Sequence, residues 1–290
     1  MQTVTTPAFN TAAALSGRRF PTHRFQVQRA QHTVSADALH ALLHGNAVAL
    51  HVEGYLSAVQ AEGLAAGFRE TVRRQRQDAV PAVHIGDGHY AKTLAEYFRA
   101  AASGEAEMNA VYRRAGIDLA QRSGADLRAL LDPGQALRPA MSGDWQAAEL
   151  KAVAWIGKDG GLALSAHDDS AQLNSREQAG FEPQQVQHPV AVNIYAAMPK
   201  SGGELRVWNL QPSDACKREL GLEETGFPYP APLLAALPFI DIASRPGDLV
   251  LLNGRFLHAV RGWDGAVGER IVYNGFIGLS RDGATVLRWT

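Results

Sequence analysis

The chain has 290 residues, of which 46% are hydrophobic and 20% are charged, a composition typical of a globular protein with ample material for a core. The formal net charge of −1 gives no general attraction to nucleic acid or to an anionic membrane, and no apolar run approaches the roughly 18 residues of a membrane span. The single cysteine, Cys216, excludes an intrachain disulfide and fits a reducing, cytoplasmic location.

The N-terminal segment is distinguished by its charge. Residues 1–36 contain no acidic side chain but do contain four arginines, at Arg18, Arg19, Arg24 and Arg29. This pattern allows two interpretations, an organellar transit peptide or a flexible arm that settles onto the domain. The segment lacks the apolar centre of a secretory signal. We favour a flexible arm over residues 1–24, followed by a single domain over residues 25–290.

The first half of that domain, residues 25–145, combines a predicted strand with several predicted helices. The strand is "NAVALHVEGYL" (Asn46–Leu56), in which apolar residues alternate. Ser57 then stands as an N-cap before the first of the helices. The predicted helices cover residues 58–74, Tyr90–Ala101, Glu105–Gly116 and Gly124–Gly134.

The second half, residues 146–290, is rich in short strands separated by Gly, Pro, Asp and Asn. The predicted strands are "LKAVAWIG", "GLALSAH", "PVAVNIYAAM", "GELRVWN", "PFIDIAS", "DLVLLNG" and "RIVYNGFIGL". Repeated short strands with such punctuation are typical of a sandwich, a jelly roll or a barrel. The sequence therefore predicts an α+β protein whose helical first half covers a strand-built core.

One of these strands ends in a histidine and two carboxylates, in the stretch "LALSAHDDSAQL". Alternate side chains of a strand project to the same face, so His167 and Asp169 are predicted to point together. Asp168 is predicted to point away from them. A His-x-Asp pair on one strand supplies two adjacent ligands to a metal ion, although the pair alone is also common by chance.

The third ligand is predicted to come from a distant strand. His258 follows the apolar segment in "GDLVLLNGRFLHAV", just as His167 follows its own apolar strand. Two histidines and one carboxylate on one side of a metal form the facial triad of non-haem Fe(II) oxygenases. His167, Asp169 and His258 are therefore the predicted metal-binding and catalytic residues.

Arg270 lies 12 residues after His258 and opens the strand "RIVYNGFIGL". Its guanidinium is always charged and can grip a carboxylate with two parallel hydrogen bonds. Alone, an arginine at the start of a strand is usually at the surface. Next to the triad, we predict instead that Arg270 holds a dicarboxylate cosubstrate, with Asn193 and Tyr195 as further hydrogen-bonding candidates on one strand face.

These motifs together resemble the Fe(II)/2-oxoglutarate-dependent oxygenases. Within that family, "SGGELRVWN", "RPGDLVLLNGRFLHAV" and "GFIGLSRDGATVLRWT" resemble the branch of N-succinyl amino acid hydroxylases and free-standing indole-alkaloid halogenases. The likeness covers residues 151–290 well and the first half loosely. It implies a double-stranded β-helix, the jelly-roll core that cupins share, with flanking N-terminal helices.

The resemblance also implies the chemistry. Fe(II) would be held by the triad, 2-oxoglutarate would chelate the iron with its far carboxylate on Arg270, and O2 would be the oxidant. The related halogenases carry a small residue in place of the carboxylate ligand, which leaves room for chloride. Because Asp169 occupies that place, the resemblance implies hydroxylation of an unactivated C–H bond and not chlorination.

Contacts to the substrate are less specific in the sequence. Arg176 follows Asp169 in a polar loop and could anchor a substrate carboxylate, while Trp155 and Phe276 could form apolar walls of a pocket. Each of these residues also has a common structural explanation, as a solvated arginine or as core aromatics. The same holds for four side chains in the helical half: His84, His89, Tyr90 and Phe98.

The predicted function is hydroxylation of a free small molecule, an aliphatic L-amino acid or its N-succinyl derivative. One alternative keeps this chemistry but acts on an alkaloid, a nucleoside or another metabolite. A second alternative is a non-enzymatic, cupin-like metal- or ligand-binding protein, which has no use for a dicarboxylate clamp. We see no basic stripe with stacking aromatics, so neither nucleic acid nor membrane is an expected partner. Self-association to a homo-oligomer is left open.

Overall fold

The computed structural model describes residues 15–75, 82–155, 157 and 160–290. Its helices are α1 (Ala36–Leu43), α2 (Ala58–Gln75), α3 (Leu94–Ala115), α4 (Leu119–Arg128), α5 (Asp214–Glu219) and α6 (Ala231–Leu234). Its strands are β1 (Gly17–Arg18), β2 (Val27–Gln31), β3 (Ala49–Glu53), β4 (Ala82–Ile85), β5 (Ala136–Pro139), β6 (Met141–Ser142), β7 (Trp145–Gln146), β8 (Lys151–Trp155), β9 (Leu162–His167), β10 (Val190–Ala197), β11 (Leu205–Trp208), β12 (Gln211–Pro212), β13 (Phe239–Ile242), β14 (Leu249–Asn253), β15 (His258–Arg261), β16 (Arg270–Leu279) and β17 (Thr285–Trp289).

The sequence reasoning did not predict α1, and two further helices of the first half, α3 and α4, differ from the prediction. Residues 94–115 form the single helix α3, where the sequence indicated two helices separated near Gly104. Gly104 lies inside this helix, where its lack of a side chain allows a close approach to the backbone of Gly86. A Cβ on Gly104 would lie 2.5 Å from the Gly86 Cα. The other difference is α4, which begins at Leu119 because the side chain of Asp118 caps it, five residues before the predicted start.

A nine-stranded sheet forms the larger layer. Its strands run in the order β2-β3-β14-β10-β16-β17-β5. β17 pairs with the second half of β16, whereas β8 pairs with its first half, and β4 in turn pairs with β8. Four strands of the first half, β2 to β5, therefore belong to this sheet. Long-range antiparallel pairing fixes its centre, where β10 lies between β14 and β16.

A four-stranded sheet forms the smaller layer, in the order β13-β11-β15-β9. Apolar side chains from both sheets meet between the layers, among them Val207 of β11 and Val250 of β14, which are fully buried. The two sheets thus share one core, and the strands that carry His167 and His258 are neighbours within the smaller sheet.

The helices cover the outer face of the larger sheet, as the alternation along β10 indicates. Val190, Val192, Ile194 and Ala196 pack with residues of α1, α2 and α3 in one apolar cluster. The alternate residues Ala191, Asn193 and Tyr195 face the smaller sheet instead. A register shift after Tyr195 returns Ala197 to the outer cluster, so alternation does not hold for that residue. The predicted α+β class, with helices laid against a strand-built core, is confirmed at this level.

Part of the predicted N-terminal arm packs against the domain. Residues 1–14 lie outside the described residues, whereas β1 pairs with β12. Phe20 is buried, and its backbone exchanges two hydrogen bonds with the side-chain amide of Asn209, each 2.8 Å long. Across the described ranges, no helix combines the length and the hydropathy that a membrane span requires.

Candidate active site

A cavity lies between the two sheets, and both contribute to its wall. The larger sheet contributes side chains from β8, β10 and β16, including Lys151, Trp155, Asn193, Arg270, Asn274 and Phe276. The smaller sheet contributes Leu164, His167, Leu205, His258 and Val260. Further residues come from the segments that follow β4 and β9 and precede α6: Gly88, His89, Tyr90, Asp169, Gln172, Thr225 and Phe227.

Strand pairing places the two histidines side by side. His258, the first residue of β15, is directly opposite His167, the last residue of β9, and their ring centroids are 4.1 Å apart. Beyond His167 the chain leaves the sheet, and the backbone amide of Asp169 donates to the carbonyl of Gly254. This bond ties the carboxylate to the loop between β14 and β15, so all three predicted ligands converge.

The three side chains form a compact set of donor atoms. One ligand atom from each of His167, Asp169 and His258 lies within 4.8 Å of the other two. Nε2 of His258 is 3.4 Å from one Asp169 oxygen, and Nε2 of His167 is 3.8 Å from the other. The predicted convergence of two histidines and one carboxylate is therefore confirmed.

Both histidines are prepared to donate a lone pair. Nδ1 of His167 is 2.8 Å from the carbonyl of Ser165, and Nδ1 of His258 is 2.8 Å from the carbonyl of Phe256. Each carbonyl can only accept, so each Nδ1 carries the proton. Each Nε2 therefore directs its lone pair toward the space that it shares with the Asp169 carboxylate, where a metal could bind. Burial, with a smaller contribution from His258, lowers the pKa of His167 to about 4, and burial also lowers the pKa of His258.

Asp169 is buried without a full set of partners. Gln172 donates to its Oδ1 at 3.1 Å, whereas its buried Oδ2 has no hydrogen-bond partner among the described residues. Burial raises the pKa of Asp169 to about 7, an effect that the nearby His167 opposes. A divalent cation would compensate this carboxylate and use both histidine lone pairs, so the donor set fits the metal that the triad implies.

The adjacent Asp168 has the opposite surroundings. Its Oδ1 accepts from Lys217 Nζ at 2.9 Å, from Ser170 Oγ at 2.5 Å and from the backbone amide of Ala171 at 3.1 Å. Its Oδ2 accepts from the Tyr229 hydroxyl at 2.8 Å. Asp168 and Lys217 are almost completely buried, so this ion pair is enclosed on the side of the strand away from the cavity.

Arg270 is a buried cation facing the cavity. Its side chain has no carboxylate within ion-pair distance among the described residues, and its Nε has no hydrogen-bond partner there. Burial lowers the pKa of Arg270, against the effect of the neighbouring Tyr195 hydroxyl. A buried guanidinium without an anion is costly, so its position favours the binding of a carboxylate or phosphate.

The remaining predicted residues are divided between the cavity and the surface. Asn193, Trp155 and Phe276 line the cavity. Tyr195 lies behind that lining, with its ring 5.2 Å from the Arg270 guanidinium and its buried hydroxyl without a partner. Arg176 is a correction: its side chain is 91% exposed and pairs with Glu224, because the short turn that it begins faces solvent.

The wall includes residues that the sequence reasoning missed, among them Lys151, Asn274, Gln172 and Phe227. Lys151 shares a strand face with Trp155, so the alternation along β8 could have indicated it. Asn274 could have been found in the same way from Arg270 on β16. Nothing local marks Phe227, whose ring lies 6.1 Å from the His167 ring only because the chain returns from far along the sequence.

Two curated relatives match part of this chain. An L-isoleucine 3(1)-dioxygenase of Pantoea ananatis is 34% identical over 136 residues, which are 47% of this chain and 45% of that protein. An L-gamma-glutamyl-L-propargylglycine hydroxylase of Streptantibioticus cattleyicolor is 28% identical over 118 residues, which are 40% of this chain and 41% of that protein. The chain thus spans less than half the length of either relative.

The fold and the family are supported over longer stretches. The crystal structure of an N-substituted L-amino acid dioxygenase from Burkholderia ambifaria aligns with a TM-score of 0.51 at 15% identity, over 87% of this chain and 91% of that one. This likeness shows a shared fold. The model of the family described as carrier-protein-independent halogenase WelO5 matches residues 77–290, well over half of the chain. The chain therefore belongs to the WelO5 family.

Proposed function

We propose that this protein is an Fe(II)- and 2-oxoglutarate-dependent dioxygenase that hydroxylates an unactivated C–H bond of an aliphatic L-amino acid or its N-succinyl derivative. The observation that carries the proposal is the convergence of His167, Asp169 and His258 in a cavity that also contains the unpaired guanidinium of Arg270. Family membership and relatives that are themselves named dioxygenase and hydroxylase support it.

Each residue has a definite part in this chemistry. Bound Fe(II) supplies the redox reactivity by which O2 and 2-oxoglutarate convert a C–H bond to C–OH, with succinate and CO2 as the other products. His167 and His258 offer Nε2 lone pairs, and Asp169 offers its carboxylate. Arg270 holds the far carboxylate of 2-oxoglutarate, because its buried guanidinium has no anionic partner among the described residues. The Tyr195 hydroxyl supplies a further donor beside it.

We assign hydroxylation rather than halogenation because of Asp169. In the halogenases that this chain resembles, a small residue stands at this place and leaves room for chloride. Here Asp169 is held at two points: its backbone amide donates to the carbonyl of Gly254, and its carboxylate accepts from the side-chain amide of Gln172. A fixed carboxylate at this place supplies the third ligand and excludes a halide from it.

The proposal includes the finer description of the fold and of the cavity. We assign the two facing sheets to a double-stranded β-helix within one oxygenase domain over residues 25–290. Trp155 and Phe276 are proposed as apolar walls, and Asn193 as a hydrogen-bonding residue of the cavity. A cytoplasmic location accords with the single, buried Cys216.

The test uses metal-free protein to which Fe(II) and 2-oxoglutarate are added under anaerobic conditions. A weak visible absorption band is expected from the chelate, and oxygen should then give succinate and a product heavier by one oxygen atom. The substrate panel consists of free and N-acylated aliphatic amino acids. Zn2+ should inhibit, because it uses the same ligands and cannot change its redox state. Full turnover in EDTA-treated protein without added metal would contradict the proposal.

A further inference from the structure

A row of polar side chains crosses the larger sheet on its cavity face. Asn193 of β10 is opposite Asn274 of β16, and Asn274 is opposite Lys151 of β8. Arg270 lies four residues before Asn274 on the same strand, so a rise of about 3.3 Å per residue separates the row from Arg270 by about 13 Å. The cavity therefore has two polar ends, and only one of them is explained by the cosubstrate.

Lys151 is the cation of the second end. It lines the cavity and has neither an ion pair nor a hydrogen bond among the described residues. Its Nζ lies against Gly88, where a Cβ would come within 2.4 Å, so a side chain at this position would require the ammonium to move. The adjacent Asp87 carboxylate is already taken by Lys92 Nζ, at 2.9 Å.

The amides of the row leave a donor on the same wall as Lys151, with Asn274 between the two residues. Asn274 Nδ2 donates to Asn193 Oδ1 at 3.0 Å and lies 3.3 Å from the carbonyl of Val192. This arrangement fixes the orientation of Asn193, whose own Nδ2 has no acceptor among the described residues. An ammonium and a free amide N–H on one wall are suited to a single carboxylate.

His89 adds an acceptor to the same end. Gln178 Nε2 donates to the carbonyls of His89 and Lys92, at 2.6 and 2.7 Å, so Gln178 Oε1 must accept from His89 Nδ1–H at 2.9 Å. The lone pair therefore belongs to His89 Nε2, which is buried without a partner among the described residues. Lys151 Nζ lies against Gly88, the residue before His89, and both side chains belong to the lining, so they share this end of the cavity. Burial lowers the pKa of His89 to about 4, so its ring is neutral near pH 7.

We infer that Lys151, Asn193 and His89 form a subsite for the head group of an α-amino acid. Lys151 and the Asn193 amide bind the carboxylate, and His89 Nε2 accepts an N–H of the amino group or of its acylated form. The inference rests on the proposed function and deepens it. Tyr90 and Phe227 lie in edge-to-face contact between this subsite and His167, so the aliphatic side chain is bounded by apolar rings next to the triad.

The test compares acids with their carboxamides. L-isoleucine and N-succinyl-L-isoleucine are each titrated against the matching α-carboxamide, into anaerobic protein that holds Fe(II) and 2-oxoglutarate. At least one acid should bind roughly 30-fold more tightly than its amide, since an unpaired buried charge is a large loss. Lys151→Met and Lys151→Gln should each abolish this preference, while Lys200→Met, which removes an exposed charge outside the lining, should keep it.

The absorption band of the Fe(II)–2-oxoglutarate chelate separates the two proposals. A missing band in the unaltered protein contradicts the proposed function itself. A normal band with equal binding of acid and amide, or with binding of neither, overturns only the subsite. A preference for the acid that survives in both Lys151 variants also overturns it.

Discussion

The two sides of the end of β9 carry the same functional group in contrasting surroundings. On the side away from the cavity, Asp168 is completely buried and accepts hydrogen bonds from four donors, one of them the ammonium of Lys217. On the cavity side, Asp169 is nearly as buried, yet one of its oxygens has no partner among the described residues. One residue of separation thus divides a completed polar network from an incomplete one.

Several of the buried polar groups that lack a partner among the described residues lie at the cavity, where small molecules are expected to bind. Folding usually satisfies buried polar atoms, so a buried group that is left without a partner requires a reason. Asp169, Arg270 and His89 all have such atoms, and all lie in or beside the cavity. Stability and binding therefore depend on different residues, even where those residues are neighbours in the chain.

The largest effect is expected for Asp169→Ala. The substitution removes one of three metal ligands, so bound iron should fall, and succinate release should fall below detection in chloride-free buffer. The folded, metal-free protein should be no less stable, because burial of the carboxylate was unfavourable there. Iron content after desalting and thermal unfolding in EDTA would measure both effects. An Asp169→Ala protein that retains iron and activity would show that the ligand assignment is wrong.

The opposite pattern is expected for Asp168→Ala. Removing Asp168 leaves the buried ammonium of Lys217 without its counter-ion, which typically costs about 3–5 kcal/mol of unfolding free energy. The fraction that remains folded should still bind iron. Urea titration and iron content per folded molecule would test this pattern.

The Lys217→Met variant serves as the matched partner in a double-mutant cycle. Lys217→Met should be the milder change, since Asp168 keeps three other donors. Combining it with Asp168→Ala should cost clearly less than the sum of the single losses, because the two residues interact. Strict additivity would show that the enclosed ion pair has no energetic role.

Arg270→Ala should affect binding and leave stability intact. Loss of the charge-assisted pair should weaken 2-oxoglutarate binding by roughly 30-fold or more. Titration of the chelate band with 2-oxoglutarate would give the affinity. Arg206→Ala is a suitable control, because Arg206 is already paired with Asp241 through two hydrogen bonds on the smaller sheet. An unchanged affinity in Arg270→Ala would assign the clamp to another residue.

The smallest effect is expected for the part of the unfolding free energy that is lost at low pH through protonation of His89. His89 has a folded-state pKa of about 4, against an unfolded value near 6.5, so the unfolded chain binds more protons between these values. Stability contributed by His89 is therefore lost as the pH falls from about 6.5 to 4, by on the order of 1–2 kcal/mol at pH 5. Denaturation of metal-free protein at pH 7 and pH 5 should show a smaller loss in His89→Gln than in the parent.

His23→Gln provides the control for this comparison, because His23 is exposed. It should show the full loss of the parent protein. Equal losses in His89→Gln and His23→Gln would mean that His89 takes up its proton as readily in the folded protein as in the unfolded chain.

His258 was predicted from its place after an apolar segment, whereas strand alternation was enough to predict the other two members of the triad. It separated Asp168 from Asp169 and the two faces of β10, because a period of two is a local property of the chain. It could not predict the partner of Asp168. Lys217 lies in the charged stretch "DACKREL", and only the docking of α5 buries it, with its ammonium beside Asp168 and Ser170.

The second polar end of the cavity was missed for a similar reason. Alternation places Lys151 on the strand face of Trp155, but a lysine at the start of a strand usually reaches solvent. Its contact with Gly88 joins residues that are distant in the chain. The predicted break within α3 is wrong for a similar reason. Gly104 makes a close contact with Gly86 and does not end the helix.

The division of the cavity wall between two sheets has a consequence for how this protein could diversify. The histidines belong to the smaller sheet, whereas Lys151, Asn193 and Asn274 belong to the larger one. Mutations along the larger sheet can therefore alter which molecule is recognised while the reactive centre is inherited unchanged. A laboratory selection for new specificity would best randomise those three positions and keep β9 and β15 constant.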